Sequence, residues 1–205
     1  MMDMPHESAL NIRVCVFCGS SAGANPEYRR QAVELGSALT AKGWGLVYGG
    51  ADIGLMGALA DAALAERGQV IGVIPQALVD REIAHDQLTE LHVVSSMHER
   101  KARMATLADA FIALPGGYGT LDEFLEILTW AQLGIHQKPC VLINTAGYYD
   151  GLLAFLDHAV REDFLRIHNR QLVLTARNAE HAIALIEEAT CKPSSTRGLD
   201  VGIIP

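Results

Sequence analysis

The chain has 205 residues, half of them hydrophobic, with 24 acidic against 16 basic side chains and a formal net charge of −8. That size and apolar content suit one globular domain with a substantial core. The acidic balance argues against a nucleic-acid or anionic-membrane partner, since either selects for a basic face, and no apolar run approaches the roughly 20 residues that cross a bilayer.

The opening MMDMPHESALNIR lacks the basic-then-apolar pattern of a secretory signal, so the compartment reads as cytoplasmic. Residues 1–10 read as a flexible N-terminus, 11–190 as the domain, and 191–205 as a C-terminal tail without periodicity. The first β-rich run is Arg13–Phe17, followed by the small-residue loop CGSSAG. A helix is predicted over Asn25–Lys42, opened by an Asn-Pro cap and stopped at Gly43. Gly45–Tyr48 reads as a strand running into YGGADIGLMG, then an alanine-rich helix over Gly54–Arg67 that ends at Gly68. Strands follow at Val70–Ile74 and Leu91–Val94, a helix at Met97–Ala108, and a strand at Phe111–Leu114 that meets PGGYGT. The remaining elements are a helix at Thr120–Leu133, a strand at Cys140–Ile143, a helix at Tyr149–Glu162, a strand at Leu172–Leu174 and a helix at Ala179–Glu188.

Short, continuously apolar strands alternating with helices predict an α/β fold. The expected form is a Rossmann-like doubly wound parallel sheet with helices on both faces, as a single domain. Such sheets bind ligands at the carboxyl ends of strands, beside a switch in strand order. The loops there are CGSSAG, YGGADIGLMG and PGGYGT, all glycine-rich. A helix N-terminus carries unpaired N–H groups and partial positive charge, so a corner without side chains admits phosphate. Gly116, Gly117, Gly119 and Thr120 fit such a cradle. No P-loop Lys-Ser/Thr follows the last glycine, and no GxGxxG stands in the first corner, so a mononucleotide fits better than a triphosphate or a dinucleotide.

Cys15 and Cys18 form a CxxC, but on a strand residues three apart point to opposite faces, and no second ligand pair stands at zinc spacing. The pair reads as structural, with a redox protein as the weakest hypothesis. The eight histidines form no HExxH or other metal pattern, so no metal and no cofactor is inferred.

In MHERKARM, Met97, Arg100, Met104 and Leu107 share one helical face, which sets Arg100 on an otherwise apolar stripe. Arg100 is then either aimed into a site or engaged in a structural contact. Lys101 and Arg103 point elsewhere and read as a solvated face. Thr120-Leu-Asp-Glu123 has capping-box spacing, with Thr at N-cap and Glu at N3. Glu123 therefore either caps a helix or reaches over the glycine turn to stabilise positive charge at an anomeric carbon or to activate water.

PGGYGTLDE, MHERKARM, CGSS, YGGADIGLMG, GVIP and TWAQLGIHQKP together resemble the Lonely Guy (LOG) family over Ile12–Glu188. The resemblance implies a cytokinin riboside 5′-monophosphate phosphoribohydrolase. Such an enzyme hydrolyses the N-glycosidic bond of N6-substituted AMP to free base and ribose 5-phosphate. It implies Arg100 and Glu123 as the catalytic pair and Gly116, Gly117, Gly119 and Thr120 as the phosphate loop. Ser20, Gly49 and Gly50 would line the adjoining corners, and Glu82, Lys101 and Thr129 would contact substrate. It also implies a homodimer. A nucleotide sensor or carrier without turnover is the competing reading. The label "lysine decarboxylase" that this motif often carries finds no recognisable pyridoxal-phosphate lysine site here.

Overall fold

The computed structural model describes residues 12–79 and 84–191. The expectations for residues 1–10, for the tail beyond Cys191 and for Glu82 lie outside these. Seven strands form one sheet: β1 Arg13–Phe17, β2 Gly45–Tyr48, β3 Val70–Pro75, β4 Glu90–Val94, β5 Ala110–Ala113, β6 Cys140–Ile143 and β7 Val173–Ala176. Every neighbouring pair is parallel, in the order β4-β3-β2-β1-β5-β6-β7. The order reverses between β1 and β5, at the centre of the sheet.

Alternate side chains of the central strands feed two apolar layers, as a sheet covered on both faces requires. On one face Val14, Val16, Leu46 and Ile112 pack beneath α1 (Pro26–Ala41), α2 (Gly54–Ala65) and α8 (Ala179–Cys191). On the other, Cys15, Phe17, Val47 and Phe111 pack beneath α4 (Met97–Leu107), α5 (Tyr118–Gln132) and α6 (Asp150–Arg161). Two short helices, α3 (Gln76–Val79) and α7 (Ile167–Arg170), and a 3₁₀ turn at Thr145–Gly147 complete the elements among the described residues; none of the three carries a periodic pattern long enough to read from sequence.

The Asn-Pro start of α1 behaves as predicted: the Asn25 side chain accepts from the Glu27 amide and Pro26 is the first helical residue. Elsewhere the boundaries move. Helix α2 ends at Ala65, and the left-handed turn falls on Arg67 (φ 61°) rather than on Gly68. Gly68 is instead a close-approach residue, since a Cβ there would stand 2.2 Å from the Thr40 hydroxyl. The last strand begins at Val173, not Leu172, and runs on to Ala176.

The capping box that the Thr120–Glu123 spacing allows does not form. Helix α5 begins two residues earlier, with Gly117 as N-cap and no side-chain cap. Thr120 is thereby the third helical residue, and Glu123 lies beyond the first turn rather than at N3.

Candidate active site

The glycine-rich corners follow β2, β1 and β5, which are adjacent strands flanking the switch in order, so they meet on one edge. Their backbones are bonded together. The Gly19 amide donates to the Pro115 carbonyl (3.0 Å), the Leu55 amide to the Gly19 carbonyl (3.0 Å) and the His85 amide to the Gly50 carbonyl (3.0 Å). Gly54 (φ +60°) allows the approach, because a Cβ there would lie 2.3 Å from the Ser20 carbonyl carbon. Ser20 itself is exposed on the rim, while Gly49 and Gly50 are buried beneath it.

Arg100 reaches this edge from the first turn of α4, which Ser96 caps by accepting from the Glu99 amide (3.1 Å). The Arg100 side chain is 9% exposed. Its Nε donates to the Val73 carbonyl (3.0 Å) and its Nη2 to the Gly49 carbonyl (3.2 Å). Glycine at 49 is required by this arrangement, as a Cβ there would stand 2.2 Å from Nη2. The remaining edge of the guanidinium, Nη1, faces Oε1 of Glu123 at 3.4 Å. Glu123 comes from α5 and its side chain is 10% exposed. A buried cation and a buried carboxylate therefore meet at the mouth of the glycine corners, the cation fixed by backbone carbonyls. The apolar stripe predicted through Met97 is shorter than expected: Met104 is buried, but Met97, in the open first turn, is 41% exposed.

The third corner leaves a bare helix start. A Cβ at Gly117 or Gly119 would meet nothing within 4 Å, and the first turn of α5 holds no acidic residue. Thr120 is buried, with its hydroxyl packed where a Gly116 Cβ would fall, at 2.0 Å. N–H groups at such a terminus can bind an anion directly. Two residues to which the sequence assigned no role at the site brace this turn: Tyr148 donates to the Gly116 carbonyl (2.7 Å) and Tyr149 to the Leu114 carbonyl (2.7 Å). Their signal was positional. The loop after β6 must lie beside the loop after β5, so any hydroxyl there is within reach.

Other expected residues fall differently. Lys101 is not solvated; its side chain is 10% exposed and its ammonium lies between Asp122 (3.0 Å) and Glu126 (2.9 Å). Burial works to lower its pKa, but the hydrogen bonds with Glu126 and Asp122 raise it overall. Thr129 is exposed and its hydroxyl donates back to the Leu125 carbonyl (2.8 Å), well along α5 from Glu123, so it does not join the cluster.

Cys15 and Cys18 are buried in different apolar layers, as strand alternation predicts. Burial, and then the Glu123 carboxylate, push both thiols well up, away from the thiolate that redox chemistry needs. Among the described residues, one group has metal-ligand proximity: Asp52, Asp61 and His85, whose ligand atoms lie within 4.8 Å of one another. The His85 ring is already engaged at both nitrogens, by Asp61 (3.0 Å) and by the Gln87 amide (3.2 Å), which makes it a hydrogen-bonded brace for the loop.

The model of a family described as possible lysine decarboxylase matches residues 56–186. The chain is 51% identical over 176 residues to the cytokinin riboside 5′-monophosphate phosphoribohydrolase LOG7 of Arabidopsis thaliana, covering 86% of this chain and 81% of that protein. It is likewise 51% identical over 176 residues to the cytokinin riboside 5′-monophosphate phosphoribohydrolase LOG of Oryza sativa subsp. japonica, covering 86% of this chain and 73% of that one. The chain belongs to the Lonely Guy (LOG) family.

The LOG fold also extends to the solved structure of a molybdenum cofactor binding protein from Rippkaea orientalis, with a TM-score of 0.67 and 27% identity over 88% of this chain and 98% of that one. The decarboxylase description finds no support in this LOG-family site. A pyridoxal-phosphate enzyme needs a lysine amine at the cofactor. Among the described residues, Lys42 pairs with Glu187, Lys101 with Asp122 and Glu126, and Lys138 donates to the Ala105 carbonyl.

Proposed function

We propose that this chain hydrolyses the N-glycosidic bond of N6-substituted adenosine 5′-monophosphates, releasing free base and ribose 5-phosphate. The observation that carries this is the buried Arg100–Glu123 pair at the mouth of the glycine corners, in a chain half identical to phosphoribohydrolases. The 5′-phosphate sits on the start of α5, against Gly116, Gly117, Gly119 and Thr120, where N–H groups and the helix dipole favour an anion. Ser20, Gly49 and Gly50 border the sugar.

As the C1′–N9 bond breaks, positive charge develops on the ribose ring, and the Glu123 carboxylate stabilises it electrostatically. The oxygen of a water then bonds to C1′. One of its protons passes to Glu123 and from there to the departing base, so the carboxylate is regenerated and the products are ribose 5-phosphate and neutral base. A guanidinium is a poor general acid, so the role of Arg100 is electrostatic. With its Nε and Nη2 committed to the Val73 and Gly49 carbonyls, it turns Nη1 toward Glu123 and adds positive potential beside the phosphate and the leaving base. The test is to incubate the protein with AMP and, separately, with isopentenyladenosine 5′-monophosphate, following products by chromatography. Base and ribose 5-phosphate should appear in equal amounts, and absence of either product contradicts the proposal.

The shared fold with a molybdenum cofactor binding protein keeps a second reading in view, a carrier that binds nucleotide without turnover. The buried pair weighs against it, since a binder needs the glycine cradle but not a carboxylate held by arginine. We also propose that the active species is a cytoplasmic homodimer. Helix α6 has no fully buried residue, and Leu133, Ile135, Phe155, Phe164 and Ile167 are all exposed by 60% or more, an apolar surface a second copy would cover. Among the described residues no helix is long and apolar enough to cross a membrane, and the described cysteines are unpaired, as a reducing compartment favours. Light scattering should give twice the chain mass; a stable monomer contradicts the dimer.

A further inference from the structure

We infer that Tyr148 is a positioning residue for the phosphate subsite, acting through the peptide plane between Gly116 and Gly117. This rests on the reading of the glycine turn as the place where the 5′-phosphate binds. Three consecutive carbonyls of that turn each accept a hydrogen bond, two from the adjacent Tyr148 and Tyr149 hydroxyls after β6 and one from the loop after β1. The Leu114 carbonyl accepts from the Tyr149 hydroxyl (2.7 Å), that of Pro115 from the Gly19 amide (3.0 Å) and that of Gly116 from the Tyr148 hydroxyl (2.7 Å).

A trans peptide is planar, with its C=O and N–H pointing in opposite directions. A pin on the carbonyl of one residue therefore aims the N–H of the next residue the other way. The pin from Gly19 aims the Gly116 N–H, and the pin from Tyr148 aims the Gly117 N–H. The pin from Tyr149 aims nothing, because the next residue is Pro115, which has no N–H. Gly117 most needs the constraint, since a side chain there would meet nothing within 4 Å and glycine restrains its own backbone least. An unpinned plane could turn its carbonyl oxygen, not its N–H, toward the anion.

The Tyr148 ring is itself held, edge-on to Tyr149 (4.9 Å, 85°) and to Tyr28 (5.5 Å, 73°). It is 43% exposed, so replacing the tyrosine by phenylalanine keeps the ring contacts and removes only the hydroxyl. Tyr149 is 3% exposed, and its loss would leave the Leu114 carbonyl buried without a partner.

The test uses Tyr148→Phe and Tyr149→Phe, with ribose 5-phosphate and adenine as probes, read both as product inhibitors and by calorimetric binding. Tyr148→Phe should weaken ribose 5-phosphate about fivefold, the equivalent of one neutral hydrogen bond, raise KM for AMP by a similar factor, and leave adenine affinity, kcat and Tm unchanged. Tyr149→Phe should lower Tm without a phosphate-selective loss. Equal loss of ribose 5-phosphate and adenine in Tyr148→Phe would mean a merely structural role and overturn the inference, as would no loss of either. If the wild type releases no base, the hydrolase reading fails, while calorimetry still decides whether Tyr148 aims the phosphate subsite.

Discussion

Two basic residues of α4, neighbours in sequence, pair with acids of α5. Arg100 faces Glu123 at 3.4 Å, with both side chains about nine-tenths buried. One residue along, Lys101 meets Asp122 at 3.0 Å and Glu126 at 2.9 Å, and the acids are 60% and 32% exposed. The shorter pairs are the weaker claim to chemistry. Exposed carboxylates are screened by water, so Lys101 fastens the rim of two helices. The longer pair lies where water is largely excluded, so each charge acts strongly on the other and on whatever enters. Burial, rather than distance, marks out the pair proposed for catalysis.

The comparison can be broken most severely at Glu123. Glu123→Ala should lower kcat by about 10²–10⁴ with the fold kept, since it removes a group acting on the transition state. Turnover assays with circular dichroism as the control check this. Next is Gly49→Ala, whose Cβ would fall 2.2 Å from Arg100 Nη2 and must push the guanidinium off its backbone acceptors. A displacement on that scale should cost about a hundredfold in kcat/KM, measured on the same substrate.

Denaturant melts sharpen the contrast further. Arg100→Ala leaves a buried carboxylate without its cation and should lower stability by about 3 kcal/mol, whereas Lys101→Ala should lower it by about 0.5 kcal/mol. Similar losses for the two would remove the distinction drawn here.

The smallest effect lies outside both pairs, at His136. Burial lowers its pKa; Nε2 donates to the Ile127 carbonyl (3.0 Å) and Nδ1 accepts from the Lys138 amide (3.2 Å), so the folded state holds the neutral ring. As pH falls, the unfolded chain takes up this proton first. Stability from this residue is thus complete above about pH 6.5 and declines below it. Melting temperatures of the wild type should drop faster than those of His136→Gln between about pH 7 and about pH 5.5.

Much of the site was legible because strand-helix alternation decides which loops share an edge. Once Arg13–Phe17, Gly45–Tyr48 and the strand before Pro115 are recognised as parallel neighbours, their glycine corners must converge. Arg100 was legible as a cation on an apolar stripe. What pattern alone left open were contacts that depend on exact helix starts and on distant chain. Thr120–Glu123 has the spacing of a capping box, and only the start of α5 at Tyr118 shows that Glu123 is not at the N3 position. Lys101 read as solvated because its partners stand on another helix. Tyr148 lies 32 residues from the carbonyl it pins, a separation at which local pattern carries no information.

The central claim is that the buried pair performs chemistry while the rim pair fastens helices. The most direct measurement follows base release from isopentenyladenosine 5′-monophosphate and from AMP by the wild type, Glu123→Ala and Lys101→Ala side by side. The account predicts release by the wild type, release within about fivefold of it by Lys101→Ala, and loss of at least about a hundredfold in Glu123→Ala. Near-normal release by a folded Glu123→Ala protein would contradict it.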